Sequence, residues 1–182
     1  MNIIFIKVLY GGEGLSLRKM LKRIGWIVAI IMLFVTATMI VEKYSLVSKN
    51  TRNLEVILSK NISSNEDSTN GNVKDLTTFD YDKMYVFEPY QSLEEMEKQI
   101  GFKYSKLKQG LSEGMINILF VKDNRTVAYL FGYSSTTGYF IEIPSGEYTK
   151  SQINKMTYTA EKREVGNFNG IPKTYMSYQF ID

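Results

Sequence analysis

The sequence predicts an α+β domain with a mainly antiparallel sheet, carried behind a single hydrophobic helix. Three observations predict it. Ile24–Val41, IGWIVAIIMLFVTATMIV, is an uncharged run of 18 residues. Residues 75–182 alternate strand-like apolar stretches with Pro, Gly and Asn-rich turns and two helix-capping patterns. Cysteine and histidine are absent altogether.

The apolar run comes first. As a helix its 18 residues extend roughly 27 Å, close to a hydrocarbon core of about 30 Å. Ten of its positions are Ile, Val, Leu or Phe, together favouring insertion by on the order of 4 kcal/mol. Ile27, Ile30, Ile31, Leu33 and Phe34 form the lipid-facing body of the expected anchor, and Trp26 suits the interface at its N-terminal end. Tyr44 suits the other. A soluble helix of this length normally shows a polar face, and this one has none. A cleaved signal peptide, cut after Ala37 at Val35-Thr36-Ala37, is the rival reading. Met39, Ile40 and Val41 carry the apolar run past that cut, which favours an uncleaved anchor.

Arg18, Lys19, Lys22 and Arg23 cluster before the run, whereas Lys43, Lys49, Arg52 and Lys60 are spread out after it. The tighter cluster places residues 1–23 in the cytoplasm and the C-terminal domain outside it. Within the N-terminal tail, Gly11-Gly12-Glu13-Gly14 can be encoded with a purine-rich ribosome-binding core, and Leu15 by a UUG start codon. Residues 1–14 therefore read either as a leader upstream of the true start or as a flexible Gly-rich tail.

Residues 42–74 read as stalk and linker. Ile40, Tyr44, Val47, Thr51, Leu54 and Leu58 recur at heptad spacing, so residues 40–58 carry the one assembly signal, for a weak homodimer. Ser59–Asn72, SKNISSNEDSTNGN, is polar and reads as flexible. Residues 75–182 are then expected to fold alone.

In that domain, Lys83–Glu88 is a strand stopped by Pro89. Ser92-Leu93-Glu94-Glu95 is a capping box opening a helix with Leu93, Met96 and Ile100 on its apolar face and Gly101 as C-cap. Met115–Lys122 and Thr126–Tyr133 form a hairpin about Asp123-Asn124, and Tyr139–Ile143 follows as a third meander strand. Thr149–Gln152 caps a short second helix. Thr157–Val165 and Thr174–Phe180 are the last strands.

The stretch DKMYVFEPYQSLEEMEKQIGF (Asp82–Phe102), followed by INILFVKDN and the meander, resembles small tethered domains of uncharacterised membrane proteins and lipoproteins of Gram-positive bacteria. The resemblance covers about half the chain. It implies an extracytoplasmic setting and brings no activity and no site residue.

Composition narrows the function classes. The chain's net charge of +3 comes from the N-terminal tail, and residues 42–182 are slightly acidic, which argues against nucleic acid as a partner. Without cysteine or histidine there is no thiolate or imidazole chemistry, and no metal or other cofactor is expected. An enzyme here would rest on carboxylates, for instance acting on cell-wall glycans. Asp80/Asp82 and Glu94/Glu95/Glu97 read instead as a solvated loop and a dipole-favoured helix start. Residues 79–182 hold 11 Tyr and 8 Phe, which makes aromatic stacking the more promising chemistry. Tyr129, Phe131 and Tyr133 share one strand face, and Tyr139 lies across the next turn. They are the candidate binding residues, either as an exposed platform or packed on the Leu93–Ile100 helix. The expected partners are the lipid bilayer and an envelope protein or cell-wall polymer. A single-pass subunit acting through its membrane helix is the remaining alternative.

Overall fold

The computed structural model describes residues 17–60, 68–168 and 171–181. The chain divides into two compact units, with the boundary between Lys43 and Tyr44. The leader or tail read at residues 1–14 lies outside the described residues, as do the side chains of Ile40 and Tyr44.

Helix α1 spans Leu17–Ser59. Its segment Lys22–Met39 has mean hydropathy 1.6 and buries none of its length, so one helix here is long and apolar enough to cross a membrane. This is consistent with a single-pass topology. Trp26, Ile27, Ile30, Ile31, Leu33 and Phe34 are all exposed, as lipid-facing residues must be. The two threonines do not spoil the apolar surface. Thr36 Oγ1 donates to the Leu33 carbonyl (2.9 Å) and Thr38 Oγ1 to the Val35 carbonyl (2.8 Å), so both hydroxyls are satisfied on their own helix.

The second unit is an α+β domain built on two four-stranded sheets. The antiparallel sheet has the order β4-β3-β2-β6, with β2 Lys83–Val86, β3 Met115–Lys122, β4 Arg125–Tyr133 and β6 Gly146–Thr149. The β3–β4 hairpin turns at Asp123 (φ 48) and Asn124 (φ 56), the left-handed pair that a type I′ turn requires. Burial is unbroken from Ile116 to Val121, so β3 is covered on both faces. One face, with Met84, Ile118, Phe120 and Leu130, joins the main core. The other, with Tyr85, Phe87, Leu119 and Tyr129, packs on Met96 and Ile100 of helix α2, Leu93–Ile100. Both reciprocal bonds of the Ser92–Glu95 capping box form, and Gly101 closes the helix at φ 80.

The mixed sheet has the order β1-β7-β8-β5, with β1 Ser68–Asn72, β5 Tyr139–Glu142, β7 Thr157–Phe168 and β8 Ile171–Ile181. Strands β5 and β8 run parallel, and the other pairs antiparallel. Tyr139, Ile141, Ala160, Met176 and Tyr178 bring this sheet into the main core. The remaining described elements are a 3-10 turn at Val73–Leu76, whose Val73 and Leu76 enter the main core, and two single-turn helices, α3 Ser134–Thr137 and α4 Lys150–Ile153, the latter with its Thr149–Gln152 capping box formed.

Several expectations need correction. The compact unit opens at Tyr44, not at residue 75. Leu54 (3% exposed) and Leu58 (0%) belong to the main core, and the Tyr178 hydroxyl donates to the Leu58 carbonyl at 2.9 Å. The heptad face of residues 47–58 is thus spent on the chain's own domain. The polar stretch read as linker is a strand at its far end: Ser68–Asn72 pairs with Thr157–Glu161. Backbone pairing asks nothing of side-chain hydrophobicity, which is why its composition conceals it. Gly71 has a further role, because a Cβ there would meet the Tyr158 ring at 2.9–3.0 Å. Tyr139–Glu142 leaves the meander and pairs with β8 in the other sheet. The strand Gly146–Thr149 was not anticipated. On α2, Leu93 is 46% exposed, and Met96 and Ile100 alone are buried there.

Candidate binding groove

Strand β4 is an edge strand, and an edge presents unpaired backbone groups that must be covered. Helix α1 covers them with two side chains. Asn50 Nδ2 donates to the Val127 carbonyl at 3.0 Å, and Thr51 Oγ1 accepts from the Tyr129 N–H at 3.0 Å. Val47 and Leu54 are buried on the same stretch of helix.

Beside this junction lies a groove of about 560 Å³, a size typical of ligand sites. Its walls are residues 47–55 of α1 and the loop 104–108, and Tyr129 and Phe131 of β4 also line it. The aromatic lining is ordered by ring contacts. Tyr104 meets Tyr129 edge-on, with centroids 5.9 Å apart, and Tyr129 stacks on Phe131 at 6.0 Å. Lys108 Nζ lies 5.3 Å from the Phe131 centroid, a cation–π contact.

The loop is held by a buried polar knot. The Tyr129 hydroxyl donates to Asn117 Oδ1 (2.9 Å) and accepts from the Lys108 N–H (3.1 Å). Asn117 Nδ2 donates to the Lys108 carbonyl at 3.0 Å. Burial pushes the Tyr129 hydroxyl well above the usual phenol range, so it stays protonated and serves as a pin, not as an acid or base.

Among the described residues the groove sets three cations, Arg52, Lys106 and Lys108, against one carboxylate, Glu55. Partial burial raises the Glu55 pKa, partly offset by the Tyr139 hydroxyl beside it. Tyr139 itself is fully buried, and its hydroxyl is pushed upward by burial first and by the Glu55 charge second. Among the described residues, no three Asp or Glu side chains converge as a metal site would need.

The four aromatic candidates therefore separate. Tyr129 and Phe131 line the groove. Tyr139 sits in the main core, and Tyr133, 42% exposed, lies outside the groove lining. No single platform of four exists. Sequence reasoning missed Arg52, Glu55, Tyr104, Lys106 and Lys108. The interleaved Lys103-Tyr104-Ser105-Lys106-Leu107-Lys108 was the available signal for the loop half. Arg52 and Glu55 lay in a stretch read as stalk.

Comparison with family models, curated proteins and solved structures returns no match.

Proposed function

We propose that this chain is a membrane-anchored binding module, with its C-terminal domain on the extracytoplasmic side. Its groove takes an anionic segment of an envelope polymer. The observation that carries this reading is the cationic rim of Arg52, Lys106 and Lys108 around the aromatic lining of Tyr104, Tyr129 and Phe131. Stacking and cation pairing together suit a polymer that alternates flat, weakly polar faces with negative charge. The basic cluster Arg18–Arg23 supports a cytoplasmic N-terminus. Binding is favoured over catalysis because, among the described residues, Glu55 is the one carboxylate lining the groove, and carboxylate-only glycan hydrolysis needs a facing pair.

Two measurements test this. Protease added to intact cells should digest residues 44–182, and a shielded domain sinks the orientation. Full-length chain in detergent should bind a purified anionic cell-wall polymer with an affinity that falls as salt rises. The double variant Arg52→Glu, Lys108→Glu should weaken that binding by roughly tenfold or more. Equal binding by the variant would remove the groove as the site.

A further inference from the structure

A second cleft, of about 480 Å³, opens where the end of β2, the loop after it, helix α2 and the Ser145–Gly146 turn converge. Among the described residues its lining contains no lysine or arginine, in contrast to the groove. Tyr90 lines it with a backbone φ of 66, the left-handed region that a bulky residue rarely occupies. The conformation is pinned at both backbone groups. The Tyr90 N–H donates to the Gly110 carbonyl (2.8 Å), and its carbonyl accepts from Gln109 Nε2 (2.9 Å). The result is an aromatic side chain 59% exposed at a polar cleft. The left-handed φ belongs to the Glu88–Gln91 turn, in which the Gln91 N–H donates to the Glu88 carbonyl (3.3 Å) around Pro89 and Tyr90, and the turn holds the tyrosine at the mouth of the cleft.

The polar groups around it are already ordered. Gln91 Oε1 accepts from the Glu88 N–H (3.2 Å), and Gln91 Nε2 donates to Gln99 Oε1 (3.0 Å). Glu88 Oε1 accepts from the Ser145 hydroxyl at 3.1 Å. These bonds fix the side chains without exhausting them: each amide has two N–H donors, and each carboxylate has two acceptor oxygens. A fixed aromatic face beside fixed neutral amides and carboxylates suits a sugar. A pyranose ring stacks its C–H face on the tyrosine, its hydroxyls donate to the carboxylates and its ring substituents accept from the amides.

We propose that this cleft is a binding subsite for a neutral sugar unit, with Tyr90 as the stacking platform and Glu88, Gln91 and Gln99 as its hydrogen-bonding rim. It binds without hydrolysing. Glu95, the other carboxylate of the cleft, is committed to the Ser92 cap, which lowers its pKa, whereas a general acid needs its pKa raised. The inference stands apart from the groove, sharing none of its lining residues.

The test titrates full-length chain in detergent with soluble tetrasaccharides of β-1,4-linked glucose and N-acetylglucosamine, by calorimetry and by saturation-transfer NMR. One of the two should bind. Tyr90→Gly should weaken binding roughly tenfold while leaving the thermal midpoint unchanged or raised, because glycine adopts this φ without strain. Tyr90→Phe should keep most of the affinity. Failure of both sugars to bind, or undiminished binding by Tyr90→Gly, overturns the proposal. So does occupation of the cleft by tetramethylammonium in place of sugar, which would make it a cation site. Release of reducing ends would overturn the non-hydrolytic half.

Discussion

The two ends of helix α1 differ in composition and face different demands: Lys22–Met39 is almost wholly apolar, whereas residues 46–59 interleave apolar residues with Lys49, Asn50, Arg52 and Glu55. Along Lys22–Met39 nothing is buried, and the apolar side chains surround the helix on all sides. Along residues 46–59 Leu46 and Val56 are about half exposed, whereas Val47, Leu54 and Leu58 are buried. The first pattern suits a solvent that is apolar in every direction, and the second suits a core on one side and water on the other. A single hydrophobicity average over α1 would miss this. What separates the segments is both how many polar residues each carries and whether the apolar ones share one face.

The strongest way to break the comparison is to cut between the segments. Deleting residues 1–43 should leave a folded domain, and deleting 1–74 should abolish folding, because Leu54, Leu58 and strand β1 leave with it. Circular dichroism of the two truncations decides this. Leu58→Ala alone should cost about 2–5 kcal/mol in urea unfolding of the 44–182 domain. At the edge of the antiparallel sheet, Asn50→Ala should cost about 1–3 kcal/mol, since it strands the Val127 carbonyl. An effect within the error of the measurement would mean that water replaces the amide without loss.

A pH series sharpens the comparison further. Burial raises the Glu55 pKa above its ordinary 4.5. A carboxyl whose folded pKa exceeds its unfolded one stabilises the fold in its protonated form. That contribution is full below 4.5 and is lost as pH rises through the raised folded value. Glu55→Gln should abolish the loss and be the more stable protein above that window. Asp80, lowered to about 2 by Lys122 and Lys150, works in the opposite sense, so the difference between wild type and variant is the readout. A difference that is flat with pH would place Glu55 in water. The smallest effect belongs to the other end of the helix. Phe34→Ala should change the domain's unfolding by less than about 0.5 kcal/mol.

Features read correctly from sequence are those whose cause is local. Ser92–Glu95 and Thr149–Gln152 each carry both halves of their cap within four residues, and Asp123-Asn124 sets the hairpin by its tolerance of positive φ. Features missed depend on distant partners. Strand β1, STNGN, exists because β7 lies alongside it. The heptad rhythm at Val47–Leu58 announced an apolar face truthfully, but periodicity does not say what covers a face. The candidate site follows the same division. Tyr129 and Phe131 were legible as a face of a strand, while Arg52 and Lys108 reach the groove from segments 56 residues apart in a chain order that gives no hint of it.

The position of β8 has a consequence for how the protein is made. This strand is the last of the described strands in chain order, yet it lies inside the mixed sheet, between β7 and β5, and its Tyr178 hydroxyl donates to the Leu58 carbonyl. Helix residues 47–58 leave the ribosome first, and the strand that helps to cover them is finished on the order of ten seconds later. During that interval the apolar face has no completed core to enter. A polypeptide released before residue 171 should therefore remain unfolded and be cleared by quality-control proteases, which pulse-chase of a chain stopped at residue 170 would reveal as rapid turnover. The arrangement makes folding of the domain wait on the synthesis of β8.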